Sequence, residues 1–225
     1  MISHKYKFIF IHIPKCAGTS IEKCLADKKT IFDWNHKAAA TEDNPLPFGD
    51  LRETALAKTI KNFPDYYLFT FCRNPWERAV STYLHSQRGE GRGIFNRHAP
   101  LGSFSDFLEE VSRYLIDGES GDLSAFEKYH LLPQFKFIPE GGKDFFSIFM
   151  RAELTVDYIG RVESFDSDFG QILNNLKLAP RTVKKHNSSR YLSPWESHYT
   201  PRLFDKVSKI YRSDILYFKY EAFKL

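Results

Sequence analysis

The sequence predicts an α/β fold built on a mostly parallel sheet. Three observations carry that reading. "KFIFIHI" at 7–13 and "YYLFTFC" at 66–72 are near-continuous apolar runs, rich in β-branched and aromatic residues, as strands buried on both faces are. Each run leads directly into a helix start. A third run, "VDYIGRVESF" at 156–165, enters a helix in the same way. Strands alternating with helices, with no internal repeat or low-complexity linker, build layered domains whose neighbouring strands run parallel.

The elements follow in chain order. The strand at 7–13 precedes a helix from about Thr19 to Leu25 that carries Ile21, Cys24 and Leu25 on one face. Residues 30–50 read as irregular, with Pro45, Pro47 and Gly49 as breakers, and 51–61 as a helix with Leu51, Ala55 and Leu56 at helical spacing. After the strand at 66–72, Asn74 is an N-cap and Pro75 a first helical residue, and Glu77 suits the positive end of the helix dipole. Residues 89–102 hold four glycines and a proline and read as a loop; a helix over 104–115 and the segment "KYHLLPQFKFI" at 128–138 come next. The helix 165–177 shows one stripe of Phe165, Phe169, Ile172, Leu173 and Leu176. "KKHNSSR" at 184–190 is a polar loop. The last helix starts at Thr200-Pro201 and buries Leu203, Val207, Ile210 and Tyr211.

Composition bounds the function. The 225 residues are 42% hydrophobic and 16% aromatic, enough for a buried core, and suit one domain spanning 1–225. A net charge of +4 is too small to argue for nucleic acid, and the aromatics lie in strands and amphipathic stripes; the balance fits a small polyanionic ligand. Cys16, Cys24 and Cys72 are odd in number, with neither a disulfide-framework nor a zinc-ligand spacing, which predicts reduced thiols. No segment approaches about 20 apolar residues, and the basic start with its short apolar run reads as a strand rather than a signal peptide. A cytoplasmic protein without a transmembrane segment is expected.

The chemistry concentrates in "IPKCAGTSIE". A strand–loop–helix turn presents unpaired backbone N–H groups and a positive dipole end to an anion. Gly18 allows close approach, Lys15 adds charge, and Thr19 and Ser20 add hydroxyls. An ordinary strand-to-helix turn with an incidental lysine is the plain alternative. The triphosphatase loop, G-x-x-x-x-G-K-[ST], places lysine after glycine; here Lys15 precedes Gly18 and the first glycine is missing. The second strand ends in Arg73, a cation where a magnesium site would want a carboxylate. The pattern favours an anion bound directly, without a metal.

Together "HIPKCAGTSIE" and "FTFCRNPWERAVSTYLH" resemble the 5′-phosphosulfate loop and the 3′-phosphate segment of sulfotransferases. The form is most similar to the carbohydrate branch that includes heparan sulfate 2-O-sulfotransferase and the HNK-1 and chondroitin enzymes, especially its short bacterial relatives. "HLLPQFKFI", "DYIGRVESFDSDFGQIL", "KKHNSS" and "YRSDILYFKY" extend the resemblance over nearly the whole chain.

The resemblance implies a P-loop-like sheet flanked by helices, with 3′-phosphoadenosine 5′-phosphosulfate as donor, 3′,5′-adenosine bisphosphate as product, no metal, and a carbohydrate hydroxyl as acceptor. It also implies the roles. Lys15 stabilises the bridging oxygen and 5′-phosphate; the amides of Cys16, Ala17, Gly18, Thr19 and Ser20, with the two hydroxyls, cradle the phosphate. Arg73 and Ser81 hold the 3′-phosphate. His36 is the expected base, with His130 second. His12 is read as a packed histidine. Lys184, Lys185 and Ser188 could close over the nucleotide or form a solvated charge run, His186 could contact donor or acceptor or be an exposed loop histidine, and Arg161 and Glu163 are read as a structural pair near the donor. Trp34 and Trp76 are read as packing residues, with stacking on a sugar ring the alternative for Trp34 beside His36. Residues 89–127, with their arginines, are the expected acceptor-recognition insertion. Two other readings stay open at this point: a P-loop nucleotide or small-molecule kinase, and a non-catalytic protein that binds the adenosine bisphosphate.

Overall fold

The computed structural model describes residues 1–26, 30, 62–87, 102–119, 123–138, 156–183 and 193–221. These form two compact units. One comprises Met1–Arg73 with Gln134–Asn187, the other Asn74–Pro133 with Ser188–Leu225. The helix expected over 51–61 and the loop 184–190 lie outside the described residues, as does nearly all of 30–50 and 89–102.

The first unit is the sheet. Strands β1 (Ile2–Ser3), β2 (Phe8–Ile11), β3 (Tyr67–Cys72) and β4 (Tyr158–Arg161) lie in that order. β2 and β3 are parallel, with Phe8 opposite Tyr67 and Ile11 opposite Thr70. β3 and β4 are parallel, with Phe69 opposite Tyr158 and Cys72 opposite Arg161. The mostly parallel sheet is therefore as expected. β1 adds an antiparallel edge that the sequence did not announce, with Ile2 opposite Ile9.

Phe8, Phe10 and Phe69 pack ring against ring across β2 and β3, with centroids 5.5 and 5.1 Å apart. Thr70, itself buried, satisfies its hydroxyl by donating to the Ile11 carbonyl at 2.8 Å. Helix α1 (Gly18–Leu25) follows β2 and buries Ile21 and Leu25. After β4, a 3-10 turn at Val162–Ser164 leads into the helix Phe165–Asn175, which buries Phe169, Ile172 and Leu173 of the expected stripe. Asp168 fastens that turn by accepting from the Arg161 amide at 2.6 Å and the Ser164 hydroxyl at 2.7 Å.

The second unit is helical. α2 (Pro75–Ser86) starts as read: the Asn74 side chain accepts from the Trp76 and Glu77 amides, and proline stands at the first position. α3 (Phe104–Leu115) and α4 (Ala125–Leu131) each open with a capping box, Ser103 with Asp106 and Ser124 with Glu127. The 3-10 turn Gln134–Phe137 that follows α4 returns the chain to the first unit. The helix in the first unit (Phe165–Asn175) is α5 in chain order, followed in the second unit by α6 (Pro201–Ile210) and α7 (Arg212–Tyr217).

The core of the second unit gathers Trp76, Val80, Phe107, Val111, Leu131, Phe204 and Val207. α6 is capped by Thr200 and buries Phe204, Val207 and Ile210, while Leu203 is half-buried. Among the described residues no helix is long and apolar enough to cross a membrane.

Candidate functional site

In an open α/β sheet, ligands bind beyond the carboxyl ends of the strands. β2 and β3 are parallel and in register, so their carboxyl ends share one edge. The segments leaving that edge are Pro14–Ala17 and Arg73, the two stretches that the motifs single out.

The loop has an unusual backbone. Lys15 and Ala17, neither a glycine, both take left-handed conformations, at φ 68° and 63°. Such a conformation costs an L-residue of order 1–3 kcal/mol and is held only where surrounding contacts over-determine it. Left-handed residues alternating with others turn successive N–H groups towards one side, the geometry of an anion nest.

The hydrogen bonding agrees. Cys16 N–H donates to the Ile13 carbonyl at 3.3 Å, and the Ser20 and Ile21 amides both donate to the Ala17 carbonyl. Among the described residues, the N–H groups of Ala17, Gly18 and Thr19 meet no protein acceptor. No acidic residue stands in the first turn of α1 to compete for its positive end. Thr19 is half-buried and Ser20 and Gly18 are buried.

Arg73 joins this loop directly. Its Nη1 donates to the Lys15 carbonyl at 3.2 Å, so the guanidinium lies against the backbone of the loop. Gln134, wholly buried, holds both segments. Its Oε1 accepts from the Arg73 amide at 2.8 Å and from the Cys16 thiol at 3.1 Å, and its Nε2 donates to the Arg73 carbonyl at 2.8 Å. Sequence reasoning quoted Gln134 within "HLLPQFKFI" but assigned it no role. An amide set between the apolar Leu131–Pro133 and Phe135 was the available signal, because a buried amide must find partners.

Other predicted residues fall as follows. His12 is nearly buried, with Nδ1 2.9 Å from Glu22 Oε1, a packed histidine as read. Cys16 and Cys72 are buried and Cys24 is half-buried, none of the three in a disulfide, and burial pushes the Cys24 thiol up. Ser81 lies in the second turn of α2 and is buried, within the second unit. His130 belongs to α4 in that unit, its Nδ1 2.8 Å from the Phe126 carbonyl. Trp76 is fully buried. Trp34, His36, Lys184, Lys185, His186 and Ser188 lie outside the described residues. Of the expected insertion 89–127, residues 102–119 and 123–127 are described and contain α3 and the start of α4.

A mostly parallel sheet in which β2 runs into the loop before α1, with the arginine that follows β3 tied to that loop, has the arrangement of a P-loop-like α/β protein. The sequence model of the sulfotransferase family matches residues 1–221, and the chain belongs to that family. It is similar to carbohydrate sulfotransferase 14 of Mus musculus and of Homo sapiens, each 25% identical over 218 residues that cover 88% of this chain and 52% of the relative. The chain thus spans about half the length of the curated relatives it matches. No solved structure matches it significantly. The family read from the two motifs is borne out, and with it the kinase reading falls away.

Proposed function

We propose that the protein transfers the sulfuryl group of 3′-phosphoadenosine 5′-phosphosulfate to a hydroxyl of a carbohydrate acceptor. One observation carries this reading: three amides, at Ala17, Gly18 and Thr19, that meet no acceptor among the described residues, in a loop whose Lys15 carbonyl is bonded by Arg73. The chemistry of that donor set fits a phosphosulfate. Backbone N–H groups, two hydroxyls and two cations neutralise a polyanion without a metal. The names of the two relatives support a carbohydrate acceptor.

In this mechanism the amides from Cys16 to Ser20 and the hydroxyls of Thr19 and Ser20 bind the 5′-phosphate, and Arg73 and Ser81 bind the 3′-phosphate. The acceptor oxygen bonds to sulfur as the bond from sulfur to the 5′-phosphate oxygen breaks. Lys15 stabilises the charge that develops on that oxygen, and adenosine 3′,5′-bisphosphate leaves. Positioning and electrostatic stabilisation supply the catalysis, as in phosphoryl transfer. The proton of the acceptor hydroxyl passes to His36. A competing assignment to His130 has its own support, since an Nδ1–H given to the Phe126 carbonyl leaves Nε2 as the acceptor nitrogen. Residues 89–127 recognise the acceptor.

The test is calorimetric titration of adenosine 3′,5′-bisphosphate without metal, and of ATP with magnesium, on wild type and Arg73→Ala. Micromolar binding of the bisphosphate, lost in the variant, is the expected result; selective binding of ATP with magnesium sinks the reading. Transfer of labelled sulfate to a glycan panel then separates an enzyme from a protein that only binds the nucleotide.

A further inference from the structure

We propose that Gln134 is a positioning residue that couples the two phosphate-binding ends of the donor site; the proposal rests on the donor-site reading above. The amide side chain treats Arg73 as a neighbouring strand would. β3 ends at Cys72, yet the next residue has both its N–H and its C=O paired, to Gln134 Oε1 and Nε2, each at 2.8 Å. One side chain thus extends the strand's hydrogen bonding by one residue and fixes the backbone of Arg73, from which the guanidinium is aimed.

The same Oε1 accepts the thiol of Cys16 at 3.1 Å. Cys16 stands between the two left-handed residues, Lys15 and Ala17, whose conformations form the amide nest. Gln134 therefore holds the centre of the loop and the base of Arg73 at a fixed separation, and Arg73 closes the triangle by donating to the Lys15 carbonyl. Gln134 is wholly excluded from solvent, so water cannot replace these bonds when they are cut. These contacts go to the backbone of Arg73 and the thiol of Cys16. Its effect on the donor passes through Arg73 and the loop.

The consequence is a specific energetic signature. A ligand with both phosphates gains from having the two ends pre-set, and a ligand with the 5′-phosphate alone gains less. The readout is the increment due to the 3′-phosphate: the dissociation constant of adenosine 5′-monophosphate divided by that of adenosine 3′,5′-bisphosphate. Both are measured by calorimetry on wild type, Gln134→Met, Arg73→Ala and the double variant, with a melting temperature for each. In Gln134→Met the increment is expected to shrink about tenfold, the scale of one to two lost hydrogen bonds. In the Arg73→Ala background, Gln134→Met should leave the increment unchanged.

Should Gln134→Met fail to fold, Gln134→Glu keeps both acceptor contacts, loses the donation to the Arg73 carbonyl and must also reduce the increment. A Gln134 variant that melts lower and weakens both ligands by the same factor overturns the coupling and leaves the donor site standing. Wild type with no increment at all overturns the donor-site reading, and the coupling with it.

Discussion

The imidazole of His12 lies so close to Gly18 that a Cβ at position 18 would overlap its ring. The two residues flank the loop 13–17, and their contact closes its ends on each other. The ring has little room to withdraw, because Nδ1 is engaged with Glu22 and the side chain is only 10% exposed. Gly18→Ala should therefore destabilise the protein by about 1–3 kcal/mol, as overpacking does. It should also weaken adenosine 3′,5′-bisphosphate binding. Thermal unfolding and calorimetry read the two effects. An unchanged melting temperature with full affinity would show that the ring relocates freely.

Tyr211 provides a pH prediction in the second unit. Burial pushes its phenol up to about 12, the Arg78 guanidinium over its ring opposes that shift, and Asp214 adds to it. The hydroxyl donates to the Leu131 carbonyl at 3.0 Å. In the unfolded chain the phenol ionises near pH ~10. Above that pH the unfolded state gives up a proton the folded state retains, so this stability is complete below about pH 10 and is lost as pH rises towards 12. Tyr211→Phe should cost about 1 kcal/mol at neutral pH and flatten the alkaline decline. Urea unfolding at pH 7, 10 and 11 tests it, and an alkaline slope equal to that of wild type would remove Tyr211 as its source.

What was legible in the sequence was local. Runs such as "YYLFTFC" and caps such as Asn74-Pro75 and Thr200-Pro201 carry their signal within a few residues, and the strands and helices stand where these put them. β1 escaped because two residues make no pattern, and its turn to β2 uses Lys7 at φ 53° where a glycine or asparagine would have announced it. The left-handed residues of the loop escaped for the same reason. Lys15 and Ala17 are not residues that favour that conformation, and tertiary ties hold them there. Gln134 bonds a residue 61 positions away, beyond the reach of any local pattern. Phe204, which the stripe of the last helix omitted, is buried because it stacks on Trp76 with centroids 4.7 Å apart and planes at 1°.

That stack supports a second stability prediction. Trp76 has its ring in the core and its indole N–H 3.0 Å from the Ser208 hydroxyl. Trp76→Ala should cost about 3–5 kcal/mol, whereas Ser208→Ala, which removes a single acceptor, should cost about 1 kcal/mol. Chemical denaturation measures both. A loss below about 1 kcal/mol for Trp76→Ala would mean that the helical core repacks without the ring.

The assignment of the base rests on two histidines that kinetics can separate. The neutral His130 ring, donating from Nδ1 to Phe126, has its lone pair on Nε2, and this hydrogen bond persists whether or not the ring acts in catalysis. A base must be unprotonated, so activity should fall on the acid side as the imidazole charges. With His36 as the base, His36→Ala should lower kcat by about 10²–10⁴ and abolish that acid limb, while the affinity for adenosine 3′,5′-bisphosphate stays at the wild-type value. His130→Ala should then keep the limb and lose less than about tenfold. If His130→Ala abolishes the limb and His36→Ala retains it, the base is His130. If neither does, the acceptor proton leaves by another group and both assignments fail.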